Sequence, residues 1–158
     1  LPVAFEGIDV LGVDATLPVT LDVLAQLDRC RGTAAELGLE LRRPRVRPPT
    51  LSAHLVGDVA ERAGLGAAWR LAAYRGYWED AADLGSVDVL VDLAVEAGLA
   101  ADAVTAALAD RRHRLDLRRR MGTRRSAGVG GVPLLLADGT FVPADLPEAD
   151  LRALAALS

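Results

Sequence analysis

Gly128-Val129-Gly130-Gly131-Val132-Pro133-Leu134-Leu135-Leu136-Ala137-Asp138-Gly139-Thr140-Phe141-Val142-Pro143 is the stretch on which the reading of this chain turns. It reads as a glycine-rich loop, a strand, an Asp-Gly turn and a second strand, which together make a β-hairpin. Pro133 falls at the first residue of a strand, where its missing N–H breaks no ladder. A bond before proline takes the cis form at small cost. A cis Val132–Pro133 bond would turn the chain and leave the amide and carbonyl of Val132 open to an extended backbone laid alongside. Gly128, Gly130 and Gly131 allow positive φ and close approach. Gly131, Val132 and Pro133 are therefore the candidate substrate-binding residues. On these residues alone, a plain glycine loop before a hairpin fits as well.

Helical signals lie on both sides of the hairpin. Pro147 and Glu148 open a last helix carrying Leu151, Leu154 and Leu157. Upstream, residues 3–13 mix β-branched and polar positions and read as a strand. A helix with Leu21, Leu24, Leu27 and Cys30 at three-residue spacing follows, with a break expected at Gly32 and an end at Gly38. Cys30, on that stripe, reads as a buried structural thiol. The connector Arg42-Arg43-Pro44-Arg45-Val46-Arg47-Pro48-Pro49 forbids helix.

Five helices follow. The first is capped by Thr50 or Ser52 and carries Leu51, Leu55, Val59 and Ala63. The second spans about 67–80, with Trp69, Tyr74, Tyr77 and Trp78 expected in the densest part of the core. The third is capped by Ser86 and carries Val87, Leu90, Val91 and Ala94. The fourth opens at Asp102, with Val104, Ala107 and Leu108. The fifth is a basic helix over about 111–125, with Leu115 and Leu117 among its arginines. Helices between strands of one sheet make this an α/β domain with a helical insertion. One domain over 1–158 is expected, with the insertion at about 50–125 and the hairpin and last helix at about 127–158.

Composition narrows the function. At 51% hydrophobic and 25% charged, the 158 residues can bury a core. The 29 Ala and 27 Leu favour helices. The net charge of −4 argues against a general nucleic-acid footprint. The charge is uneven, because residues 111–125 hold eight Arg against one Asp. That helix reads as a solvated face, or as a patch for an anionic partner. No apolar run reaches the roughly 18 residues of a membrane span. The single cysteine excludes a disulfide framework, a Cys-X-X-Cys dithiol and a cysteine zinc site within these residues. No metal or phosphate-binding constellation is evident, so no cofactor is expected. The pairs Glu79/Asp80 and Asp88/Asp92 read as loop, cap and first-turn carboxylates, as does Asp83. His113 is expected to face solvent, and His54 reads as a structural or surface histidine.

In order along the chain, several segments resemble the DsbA family, in particular its cytoplasmic FrnE-type branch. FEGIDVLGVDATLP (5–18) resembles that family's second strand and following loop. RPPTLSAH (47–54) resembles its Pro-Asn-Thr and Ala-His region, with Pro49 where Asn is usual. YRGYWEDAADLGSVDVLVDLAVEAGL (74–99) resembles its insertion helices, and GVGGVP with the following hairpin resembles its cis-proline loop. The resemblance implies a thioredoxin-like α/β fold with a large helical insertion and a cytoplasmic thiol-disulfide oxidoreductase. Its partner would be a protein or small-molecule thiol or disulfide, or glutathione, with no nucleic acid or membrane partner. Within it, the Val132 backbone would hold the substrate, and Pro133 would keep metal from the thiols. His54 matches a position where the family often has His, which gives it a second reading as a catalytic or glutathione-contacting residue.

One departure is large. The family's redox centre is a Cys-X-X-Cys at the start of its first helix, whereas this sequence opens on what resembles the second strand. The expectation is a truncated domain without the first strand-helix unit, redox-inactive by itself. Two alternatives remain. One is a glutathione-dependent isomerase or transferase, like 2-hydroxychromene-2-carboxylate isomerase and the kappa-class glutathione transferases. Their Phe-Trp-Gly and Asp-Arg pattern is replaced here by Phe141-Val142-Pro143-Ala144-Asp145-Leu146. The other is a non-catalytic thioredoxin-like binding module.

Overall fold

A computed structural model describes residues 6–9, 12–137, 139–144 and 146–156. Its elements are α1 (Leu21–Glu36), α2 (Leu51–Arg62), α3 (Gly66–Trp78), α4 (Val87–Glu96), α5 (Ala101–Ala109), α6 (Arg111–Ser126), β1 (Leu134–Ala137), β2 (Thr140–Pro143) and α7 (Glu148–Ala156). The mostly helical α/β fold is as expected, but among the described residues α1 to α6 precede both strands instead of lying between them. Among the described residues the sheet is one antiparallel hairpin, in which Leu134 faces Pro143 and Ala137 faces Thr140. Gly139 lies in the turn between the strands, at φ +78°.

The core lies among α2 to α6. Leu55, Val56, Leu90 and Val104 are fully buried, and Trp69, Leu117 and Met121 nearly so. Trp69 also donates its Nε1–H to the Ala53 carbonyl at 3.2 Å, which ties α3 to α2. A buried indole N–H needs such an acceptor. The other three aromatics correct the expectation of an aromatic core. Tyr74 is exposed and Trp78 only half-buried, while Tyr77 sits at the rim. Its hydroxyl donates to the Val46 carbonyl at 3.0 Å, and the Arg42 amide donates to the Trp78 carbonyl at 2.7 Å. These bonds hold the proline-rich connector along α3. On α6 the buried residues are Leu117 and Met121, four apart on one face, and Leu115 points outward. On α2 they are Leu51, Leu55, Val56 and Ala60, one step round from the expected stripe.

The helix ends follow simple chemistry. α1, α2, α4 and α6 each run into a left-handed glycine, namely Gly38, Gly64, Gly98 and Gly128. In each, the glycine N–H and the next N–H donate back into the last turn, as when Leu99 reaches the Ala94 carbonyl at 2.9 Å. Starts are plainer. Thr50 and Ser86 occupy cap positions without a side-chain bond, but Asp110 caps α6 by accepting from the Arg112 and His113 amides at 2.8 and 3.1 Å. The His113 N–H above all holds the Asp110 carboxyl below its ordinary pKa.

Two segments depart from expectation. Of the strand expected over residues 3–13, residues 6–9 and 12–13 carry no ladder, and residues 3–5, 10 and 11 lie outside the described residues. The cause is local. Asp9 Oδ1 accepts the Gly12 N–H at 3.0 Å, and Gly12 turns the chain at φ +64°. Extended pairing comes later, at a bridge between Leu17 and Arg47. α1 runs unbroken through Gly32, so the expected interruption is absent. The last helix forms, but none of its described residues is buried, and Leu157 lies outside the described residues.

Candidate functional site

The candidate loop is launched from the end of α6. Gly128, at φ +100°, donates to the Arg125 carbonyl at 3.0 Å, and Val129 donates to the Arg124 carbonyl at 3.2 Å. The Val129 side chain is buried and anchors the turn. Beyond it Gly130, Gly131, Val132 and Pro133 are all exposed, with Val132 at 59%. The Val132–Pro133 bond is cis. The Pro133 carbonyl accepts the Ala144 N–H at 3.1 Å and so extends the hairpin by one rung. Among the described residues, nothing bonds to the Val132 N–H or C=O. The far edge of β1 likewise has no described strand beside it.

The loop thus presents Gly131, Val132 and Pro133 together, with Val132's peptide groups open among the described residues. Of the three loop glycines only Gly128 needs positive φ. A Cβ on Gly130 or Gly131 would meet nothing within 4 Å, so their own chain does not demand glycine there, and space beside them is open.

A second cluster lies between residues 6–9 and 12–14, α2 and α6. His113 was expected in solvent; instead its Nε2 lies 2.9 Å from Asp58 Oδ2, and Arg120 shares the same carboxylate oxygen. The reason is helical phase. His113 lies four residues before Leu117 and eight before Met121, so it turns toward α2 with them. One turn before Asp58 stands His54, whose pKa burial pushes below the ordinary value. The Asp9 and Asp58 carboxylates pull the other way and lose to burial. Asp9 is only 8% exposed. With Gly12, Asp14, Leu51, Arg118, Met121 and Arg125 it lines a cavity of about 110 Å³.

The basic helix keeps a solvated face, as expected, at Arg112 and Arg119, but its other arginines do not form an open anion patch. Arg118 pairs with Asp14, Arg120 with Asp58, and Arg124 grips both oxygens of Glu6 at 2.9 and 2.7 Å. Arg125 donates to the Asp9 carbonyl at 2.6 Å. Reasoning from sequence missed this set. Its signal was there in the excess of acid elsewhere in the chain, but spacing cannot match one arginine to one carboxylate across 62 to 118 residues.

Cys30 also departs from expectation, because it is exposed. α1 buries only Leu27 and Ala34, and Leu21 and Leu37 stand out at 84% and 71% exposure. Cys30 borders an apolar cleft of about 290 Å³ with Val23, Gln26, Leu27, Leu41 and Trp78. Among the described residues no hydrogen bond links Cys30, His54 and the loop. Nor does any group of three or more His, Cys, Asp or Glu stand placed to hold a metal. Asp83 accepts the Gly85 N–H at 2.8 Å, as a turn carboxylate. No described helix is long and apolar enough to cross a membrane.

Comparison with known proteins gives a family and a similar solved structure. Residues 11–155 match the DSBA-like thioredoxin domain family. A crystal structure of a probable DsbA oxidoreductase from Streptomyces coelicolor superposes with a TM-score of 0.73 at 29% identity. The match covers 90% of this chain and 68% of that one. No curated protein sequence matches.

Proposed function

Since the chain belongs to the DSBA-like thioredoxin domain family, we propose that it is the substrate-holding part of a FrnE-like thiol-disulfide oxidoreductase. The observation that carries this reading is the exposed Val132, whose N–H and C=O have no partner among the described residues. A donor and an acceptor on one residue, both open among the described residues, match the backbone of a peptide laid alongside, as in strand addition. Gly130 and Gly131, with open space beside them, let that backbone approach. Gly131, Val132 and Pro133 are the residues assigned to this role.

The redox step needs a dithiol. Exposed Cys30 is the only cysteine in the 158 residues and sits mid-helix, away from the N-terminal amides that favour a thiolate. The dithiol is therefore one that these residues do not contain. One of its thiolates attacks a substrate disulfide, forms a mixed disulfide and releases the other substrate sulfur as a thiolate. The second thiolate then attacks the mixed disulfide, closing the carrier disulfide and freeing the substrate dithiol. The reverse sequence oxidises a substrate. In either direction this chain's part is to hold the peptide backbone flanking the reacting cysteine.

Calorimetry with an extended cysteine-containing peptide tests the assignment. Binding should be lost when the peptide amide opposite Val132 is N-methylated. Equal binding of the methylated peptide rejects the backbone role. Tight binding of glutathione with none of the peptide would move the chain to the isomerase and transferase class instead.

A further inference from the structure

Arg124 and Arg125 each act twice. Their carbonyls accept the Val129 and Gly128 amides that turn the chain into the loop. Their side chains reach back to residues 6–9, where Arg124 forks onto Glu6 and Arg125 donates to the Asp9 carbonyl. The geometry points to a clasp in which Arg125, closed over Gly12, positions the Gly128–Pro133 loop. This inference rests on the peptide-holding reading above.

The two arginines are not equal. The Arg124–Glu6 pair is about half exposed on both sides, and such pairs contribute little. Arg125 instead makes a charge-assisted bond of 2.6 Å to a partly buried carbonyl. Its guanidinium lies flat against Gly12, where an added Cβ would stand 3.0 Å from Cζ. Gly12 is also left-handed, and buried Asp9 accepts its N–H. Asp9 and Gly12 thus make a shaped seat for one side chain. That side chain belongs to the residue whose carbonyl receives the Gly128 N–H. Arg125 is therefore a positioning residue, acting on Val132 through the last turn of α6.

The fold supplies its own controls. α2 and α4 end in the same capping bonds at Gly64-Leu65 and Gly98-Leu99, outside the clasp. Amide hydrogen exchange on the whole chain, with peptide binding measured in parallel, separates the cases. Arg125→Ala should speed exchange at Gly128 and Val129 about tenfold while Leu65 and Leu99 stay unchanged. It should weaken the peptide several-fold. Arg125→Lys, which keeps the charge but not the planar fork, should restore only part of both effects. Gly12→Ala should reproduce the loss without removing a charge, and keeps the test alive if Arg125→Ala fails to fold. Arg119→Ala, an exposed arginine outside the clasp, should change nothing. Unchanged Gly128 and Val129 amides, or Leu65 and Leu99 rising in step with them, overturn the clasp. If the loop amides respond but the wild-type chain binds no peptide, the clasp stands and the peptide-holding reading falls.

Discussion

His113 on α6 and Asp58 on α2 meet with Nε2 2.9 Å from Oδ2, and Arg120 closes on the same carboxylate. Asp58 and His113 are both largely shielded, at 23% and 16% side-chain exposure, so this contact escapes most of the screening that weakens surface pairs. Asp58→Asn keeps the shape and removes the charge. It should lower unfolding free energy by about 1–3 kcal/mol in urea denaturation. A change within the error of the midpoint would mean that Asp58 does not join the helices.

His54 makes stability depend on pH. Burial lowers its pKa in the folded chain below the ordinary 6.5, so the unfolded chain binds the proton more readily. Its cost is therefore absent above the unfolded pKa and grows as pH falls from there toward the folded pKa. The urea midpoint should drop between about pH 7.5 and about pH 5.5, and His54→Gln should flatten that part of the curve. An unaltered slope in the variant would contradict the account.

Leu90 is fully buried where α4 meets the rest of the core. Leu90→Ala removes packed atoms and leaves a cavity, at a cost of about 2–5 kcal/mol by equilibrium unfolding. Leu115→Ala, on the exposed face of α6, should stay within about 0.5 kcal/mol of the parent.

Cys30 should react in the native state. A thiol reagent such as dithionitrobenzoate is expected to label one thiol per chain without denaturant, since the side chain is exposed. Labelling that waits for unfolding would restore the buried thiol read from the sequence.

How much was legible beforehand depends on the range of the signal. The left-handed glycines at Gly38 and Gly98 and the hairpin from Leu134 to Pro143 follow from local rules, and both formed where expected. Facing directions were harder. The three-residue spacing through Cys30 promised a buried stripe, but only Leu27 and Ala34 find cover, because periodicity reports an apolar face and not what covers it. The aromatic run misled for a similar reason, since α3 turns Trp69 inward and Tyr74 outward. Of the site, Gly131, Val132 and Pro133 could be named from the loop alone. Asp9, Gly12 and Arg125 could not, because their meeting depends on the way α6 crosses the start of the chain.

The most direct test is an NMR titration of the nitrogen-15-labelled chain with an extended cysteine-containing peptide. The account predicts that the Val132 amide moves downfield and exchanges more slowly with solvent as peptide is added, with Gly130 and Gly131 shifting beside it. A peptide that leaves Val132 unmoved, whether it fails to bind or perturbs another surface, would contradict the claim that this loop holds substrate.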